Sequence, residues 1–221
     1  MKLDFTSDIN RGYEEGLNYP HMDKFIIGVH WWSFAFIVLF VVTNSILKIA
    51  AYYPSPFSWR VTSVEEGIWT VAIGFIAAFL PTMLVGKFKN HYYWRLFVTL
   101  TLSIFAYLAV FISGGSIEMH FIFFAMIALV AIYSDWRLGW FMLVFVGLHH
   151  VILNYIAPTW VYFYGRNDFS VFAHAFPVII AVIFTTVLCN IHRTTVQQIQ
   201  MVRNDFQAIN RRIQSEEDKK R

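Results

Sequence analysis

Six long apolar stretches, separated by short polar breaks, organise the chain: residues 25–47, 67–85, 96–113, 117–133, 138–157 and 171–191. Each is near the length of about twenty residues that crosses a hydrocarbon core, so each predicts a transmembrane helix. The breaks have turn chemistry: Pro54 and Pro56, Gly86 to Asn90, Ser113-Gly114-Gly115-Ser116, Ser134 to Arg137, and Pro158 to Asp168. Connections this short make sequential helices antiparallel neighbours. The pattern divides the chain into a polar N-terminal segment (residues 1–24), a six-span bundle (25–192) and a polar C-terminal helix (193–221). The fold class is therefore all-α, a polytopic six-helix bundle with a helical appendage.

Orientation follows from the basic residues. Lys87, Lys89 and Arg95 flank the second break, Arg137 the fourth, and Arg193 and Arg203 follow the sixth stretch, whereas the third break has no basic residue and the fifth only Arg166. The positive-inside rule puts the basic ends, and both chain termini, on the cytoplasmic side of a multi-pass membrane protein. Beyond Ile191 the apolar residues Ile199, Val202, Phe206, Ile209 and Ile213 follow a 3-4 spacing. That spacing is the seam of a coiled coil and predicts a homodimer through residues 196–213. The same residues, with Arg203, Arg211 and Arg212, also fit an amphipathic helix on an anionic leaflet, but the seam is narrow and has no Trp- or Leu-rich face. The charged end, Ser215 to Arg221, reads as a connector to a cytoplasmic output domain or signalling partner.

Composition narrows the function classes. With 57% apolar, 19% aromatic and only 14% charged residues, the chain is no ordinary soluble domain. A net charge of +3 is, in a membrane protein, a matter of orientation and gives no case for nucleic acid. The single Cys189 excludes a disulfide framework and a thiolate metal cage. GxxxxGK[ST], HExxH and GxSxG are absent, and no Lys lies in the middle of the sixth stretch to carry a retinal Schiff base. The expectation is a sensor module and not an enzyme.

The candidate chemistry is histidine. Ionisable side chains inside a span are costly and mark function. His120 lies just inside the fourth stretch, His149 and His150 in the outward part of the fifth, and His174 just inside the sixth. At about 1.5 Å per residue all four fall roughly 5–12 Å below the outer surface. Neutral imidazole ligates both metal ions and haem, so this layer predicts a site at His120, His149, His150 and His174. His149 and His150 differ by about 100° around the helix, which gives one a direct role and the other a supporting or gating one. Asn154, one turn beyond His150, is placed to hydrogen-bond it, and Glu118, on the far side of the helix from His120, to support the site from outside. His30 and His91, with His192, are candidates for a second site at the inner end. Such a pair would suit a b-type cytochrome of membrane electron transfer, the alternative function.

The stretch Ile117-Glu-Met-His120, with Asp135-Trp136-Arg137, Gly147-Leu-His149-His150 and Phe172-Ala-His174-Ala175, resembles the multi-span sensory region ahead of bacterial chemotaxis receptors, GGDEF diguanylate cyclases and sensor histidine kinases. The resemblance covers about a third of the chain. It implies signal transduction in a bacterial inner membrane, with a signal received in the membrane and passed through a coiled coil into a cytoplasmic output domain. Joined to the imidazole layer, the expected signal is redox, gas or metal. By analogy with such receptors it favours haem b as the cofactor, with a bare Cu, Fe or Zn ion as the open alternative, since four histidines exceed what one haem requires.

The seam makes a direct prediction. With Cys189 replaced by Ser, chains carrying Ile199→Cys or Phe206→Cys should crosslink efficiently into symmetric dimers, and failure of both to crosslink would exclude the parallel coiled coil.

Overall fold

A computed structural model of the chain describes residues 19–48, 61–88 and 91–220, and among them every regular element is helical. The polar segment up to residue 18, the break containing Pro54 and Pro56, and the side chain of His91 lie outside the described residues. The helices are α1 (Tyr19–Val41, continued by a π-helical turn, Val42–Ile46), α2 (Val64–Leu84), α3 (His91–Ile112), α4 (Ile117–Val130), α5 (Trp136–Ile156) and α6 (Asp168–Lys220). Five are long and apolar enough to cross a membrane. The remaining helix, α4, covers with its 3₁₀ extension, Ala131–Tyr133, the expected stretch Ile117–Tyr133, but it is shorter than the other five. It is confined at one end by Gly114 and Gly115, both at positive φ, and at the other by left-handed Ser134.

The helix ends follow from local chemistry. Ser63 and Glu66 form a reciprocal capping box, each side chain accepting from the other's backbone N–H, which starts α2 three residues ahead of its apolar run. The Asp135 carboxylate accepts from Arg137 N–H and starts α5. Pro81 lies inside α2, and α6 continues through Pro177. In membrane helices such prolines are tolerated where neighbouring groups satisfy the freed carbonyl.

Helix α3 is the centre of the bundle. It packs against α1, α2, α4 and α5, while α6 covers α5 and α4. Trp94, Val98, Leu102, Phe105, Ala106, Ala109 and Ile112 of α3 are all buried. The outer faces instead expose Trp32, Leu39, Trp69, Phe172, Phe184 and Leu188, as expected where the surroundings are apolar. Several polar side chains inside the bundle are hydrogen-bonded to one another or to backbone carbonyls. Asn44 donates to the Ile112 carbonyl at 2.6 Å, Ser45 and Thr62 share a hydrogen bond of 2.6 Å, and Thr99 and Ser103 bond back to carbonyls of their own helix.

At the end bearing the α2–α3 and α4–α5 turns, a polar knot joins four helices. Asp135 pairs with buried Arg95 of α3 at 3.2 Å and takes two hydrogen bonds of 2.7 Å from Arg137, whose guanidinium lies 4.3 Å over the Tyr92 ring. Beside it Tyr133 donates to Asp23 of α1 at 2.9 Å, and Ser134 bonds His192 of α6. Past this knot α6 leaves the bundle, and Ile199, Val202, Phe206, Ile209 and Ile213 are all at least half exposed.

Breaking a buried ion pair leaves a charge without its counter-ion and costs several kcal/mol. Asp135→Ala should therefore lower bundle stability by about 3 kcal/mol, measured as unfolding in mild detergent. Arg137→Ala, which removes an exposed partner of the same carboxylate, should cost less than about 1 kcal/mol. Equal losses would show that Arg95 does not depend on Asp135.

Candidate functional site

At the opposite end, where the α3–α4 and α5–α6 connections lie, three of the four predicted histidines come together from three helices. The ring centres of His120 (α4), His150 (α5) and His174 (α6) form a triangle with sides of 4.9, 5.4 and 5.8 Å. His120 and His150 are buried and His174 is half-buried.

Each ring is pinned in the same way. Its Nδ1 lies 2.7–2.9 Å from the carbonyl one turn back: Ser116 for His120, Val146 for His150 and Ser170 for His174. A carbonyl only accepts, so Nδ1 carries the proton and, in the neutral ring, Nε2 keeps the lone pair. The Nε2 atoms of His120 and His150 are buried with no partner in the protein. A helix can make this bond without help from other helices, because the residue one turn earlier lies under the side chain. Imidazoles that ligate metal are held the same way, through the ring nitrogen turned away from the ion.

The chemistry available to the cluster is lone-pair donation from imidazole nitrogens in a dry setting. Among the described residues, no group of three or more His, Cys, Asp or Glu side chains is arranged, as it stands, to hold a metal ion. The triangle is nonetheless close to ligand spacing. With metal–nitrogen bonds of about 2.0–2.1 Å, ring centres around a tetrahedral ion are about 5 Å apart. Two imidazoles on opposite faces of a haem stand about 6.3 Å apart, more than any side of this triangle.

The cluster has a roof that the sequence pattern did not announce. Tyr162, in the connection between α5 and α6, is buried, and its ring lies 6.2 Å from that of His120 in a near-parallel plane, 5.9 Å from His150 and 5.3 Å from His174. Its hydroxyl is buried without a partner, and burial pushes its pKa up, so it remains a neutral phenol. Phe163 N–H donates to the Gly115 carbonyl at 3.3 Å, and a Cβ on Gly115 would stand 2.6 Å from the Tyr162 nitrogen. The only cue was an aromatic run, Val161 to Tyr164, in a segment that otherwise reads as turn.

The remaining expected residues lie elsewhere. His149 stacks on Tyr107 of α3 with ring centres 4.0 Å apart, and meets the triangle only edge-on at His150, 5.3 Å away. Asn154 does not bond His150. It donates to Asp168 at 2.8 Å and accepts from Asn167 N–H at 3.1 Å, tying the end of α5 to the start of α6. Glu118 has both carboxylate oxygens buried without a partner. His30 has both nitrogens engaged, by the Ile26 carbonyl at 2.7 Å and the Thr101 hydroxyl at 2.8 Å, so it is a structural residue of the α1–α3 contact.

No protein family, curated protein or solved structure matches this chain.

Gly115 at φ +78° occupies a left-handed position that other residues adopt at a cost, and the roof leaves no room for a side chain there. Gly115→Ala should therefore loosen the connection, raising amide exchange across residues 158–165 by at least about fivefold, a loss of roughly 1 kcal/mol of local protection. Unchanged exchange would show that the roof does not rest on Gly115.

Proposed function

We propose that this protein is a sensory module of a bacterial inner membrane, in which a transition-metal ion held by Nε2 of His120, His150 and His174 controls the position of α6. The observation that carries this reading is the triangle of imidazoles on three helices, each pinned through Nδ1. The ring spacing favours a bare Cu, Zn or Fe ion over haem b, because a macrocycle between any two of these rings would need a wider gap. Three imidazole donors with one further position suit each of these ions. Binding would turn the three rings toward one point, and His174 would transmit that movement to its own helix.

Helix α6 supports the signalling half of the reading. One unbroken helix runs from His174, past the Ser134–His192 contact, to the exposed seam at residues 199–213. At about 1.5 Å per residue its 53 residues extend about 80 Å, well beyond a bilayer core. Pairing of two copies along that seam would bury its apolar side chains and carry a shift of α6 to a cytoplasmic output domain. Lys87, Arg137 and Arg193 share the end from which α6 emerges, and by the positive-inside rule this supports the reading that α6 leaves the membrane on the cytoplasmic side.

Two measurements test this. Purified protein in nanodiscs should bind about one Cu or Zn ion per chain by elemental analysis, without a Soret band. His120→Ala, His150→Ala and His174→Ala should each weaken binding at least about tenfold, whereas His149→Ala should leave it within about twofold. A Soret band lost in His120→Ala would replace the bare ion with haem, and absence of both metal and Soret band would exclude the reading. Metal should also change the crosslinking rate at residues 199 and 206, and leave it unchanged in the triple His→Ala variant.

A further inference from the structure

Tyr162 turns the triangle of imidazoles into a cluster of four rings in which every pair is close. The three histidines are 4.9, 5.4 and 5.8 Å apart, and Tyr162 stands 5.3 Å from His174, 5.9 Å from His150 and 6.2 Å from His120. Points mutually spaced in this way mark the corners of a slightly irregular tetrahedron. Tyr162 is 1% exposed, and its hydroxyl, like Nε2 of His120 and of His150, is buried with no partner in the protein. Burial of a polar atom without a partner is destabilising, and a single cation at the centre of the four rings would satisfy all of them together. Such an ion occupies no separate cavity: it lies in the space the rings themselves enclose, where ligand atoms are closed to water.

The spacing decides between two roles for the hydroxyl. With a metal–oxygen bond of about 2.0 Å and a bent angle at oxygen, a coordinated phenol has its ring centre about 4 Å from the ion, and about 6 Å from the centres of tetrahedrally placed imidazoles. A hydroxyl that only hydrogen-bonds to a water or small molecule on the ion stands one bond length further out, which moves its ring to about 8 Å from the imidazoles. The observed 5.3–6.2 Å match direct ligation. Square-planar coordination does not fit, because it would put trans imidazoles about 6.3 Å apart and a trans phenol about 7 Å away. The backbone of Tyr162 is already fixed: its N–H donates to the Pro158 carbonyl at 2.8 Å, its carbonyl accepts from Gly165 N–H at 3.0 Å, and its ring stacks on Tyr164 with centres 5.4 Å apart. Support of this kind holds a ligand atom at bonding distance.

We propose that the Tyr162 oxygen is the fourth ligand of the ion, so that three imidazoles and one phenolate form a closed site for Zn(II) or another divalent ion that accepts tetrahedral geometry. The inference rests on the metal reading given above and narrows it. A closed site keeps no open position for a gas or other small molecule, so the signal it reports is the availability of the ion itself. On binding, the phenol O–H bond breaks and an oxygen–metal bond forms. The proton passes to water on the side of His174, the half-buried member of the cluster, and no electron is transferred. The ion then ties the α5–α6 connection to α4, α5 and the start of α6.

The test uses the full chain in nanodiscs with Zn(II) as the probe, and the ultraviolet difference absorption of tyrosinate as the readout. Wild-type protein should develop the signal of about one tyrosinate per bound ion, saturating at about one ion per chain. Tyr162→Phe keeps the ring and the roof and removes only the oxygen. It should abolish the signal and weaken Zn(II) binding at least about tenfold, measured by competition with a chromophoric chelator. Tyr164→Phe, beside it in the same connection, should leave the signal intact and the affinity within about twofold. Zn(II) bound by wild type without a tyrosinate signal, or a signal that survives in Tyr162→Phe, would overturn the assignment and leave the three-histidine site standing. Absence of any bound ion would overturn both. Helical circular dichroism of each variant must match wild type. Should Tyr162→Phe fail to fold, the wild-type signal decides: one tyrosinate per ion supports the assignment and none overturns it.

Discussion

The carboxylate of Asp135 is the fixed point of this bundle. In apolar surroundings a buried guanidinium is tolerable only beside a counter-charge with correct geometry, and Arg95 of α3 finds its own in Asp135. The same residue caps α5, and its neighbours Tyr133 and Ser134 reach α1 and α6. One turn thus sets the mutual placement of four helices at one end. Displacement of any of them there would uncover a charge or an unpaired hydroxyl.

The opposite end has no comparable ion pair among the described residues inside the bundle, and is assembled from weaker constraints. A glycine at positive φ receives the α5–α6 connection, Asn154 staples the start of α6, and imidazoles bond to carbonyls of their own helices. Such an end is easier to adjust. Under the proposed sensory role, an anchor at one end and a more adjustable cluster at the other are what a movement of α6 started at His174 would require. Helix α6 meets both, through His174 and, about five turns later, His192.

The two polar features near the adjustable end divide the work of the paired histidines. Adjacent positions on a helix point about 100° apart. His150 therefore joins the triangle while His149 stacks on Tyr107. One dipeptide thereby connects two environments, an imidazole cluster roofed by Tyr162 and an aromatic stack against α3.

The lengths and spacing of the apolar stretches determined that the described residues form helices, roughly where those helices run, and that imidazoles from three of them share one depth, because rise per residue is fixed by backbone hydrogen bonding. The same pattern marked the 3-4 seam of α6, which no other described segment covers. Depth is not direction, however. Which imidazoles face one another, that His30 is satisfied by Thr101, and that Asn154 serves Asn167 and Asp168 in place of His150 depend on the rotation of each helix about its axis. That rotation is set by packing against neighbours distant in sequence. The same holds for Tyr162 and Tyr107: an aromatic residue in a turn or on a helix becomes a roof or a stacking partner only when another element is brought against it, and the chain's order carries no record of that meeting.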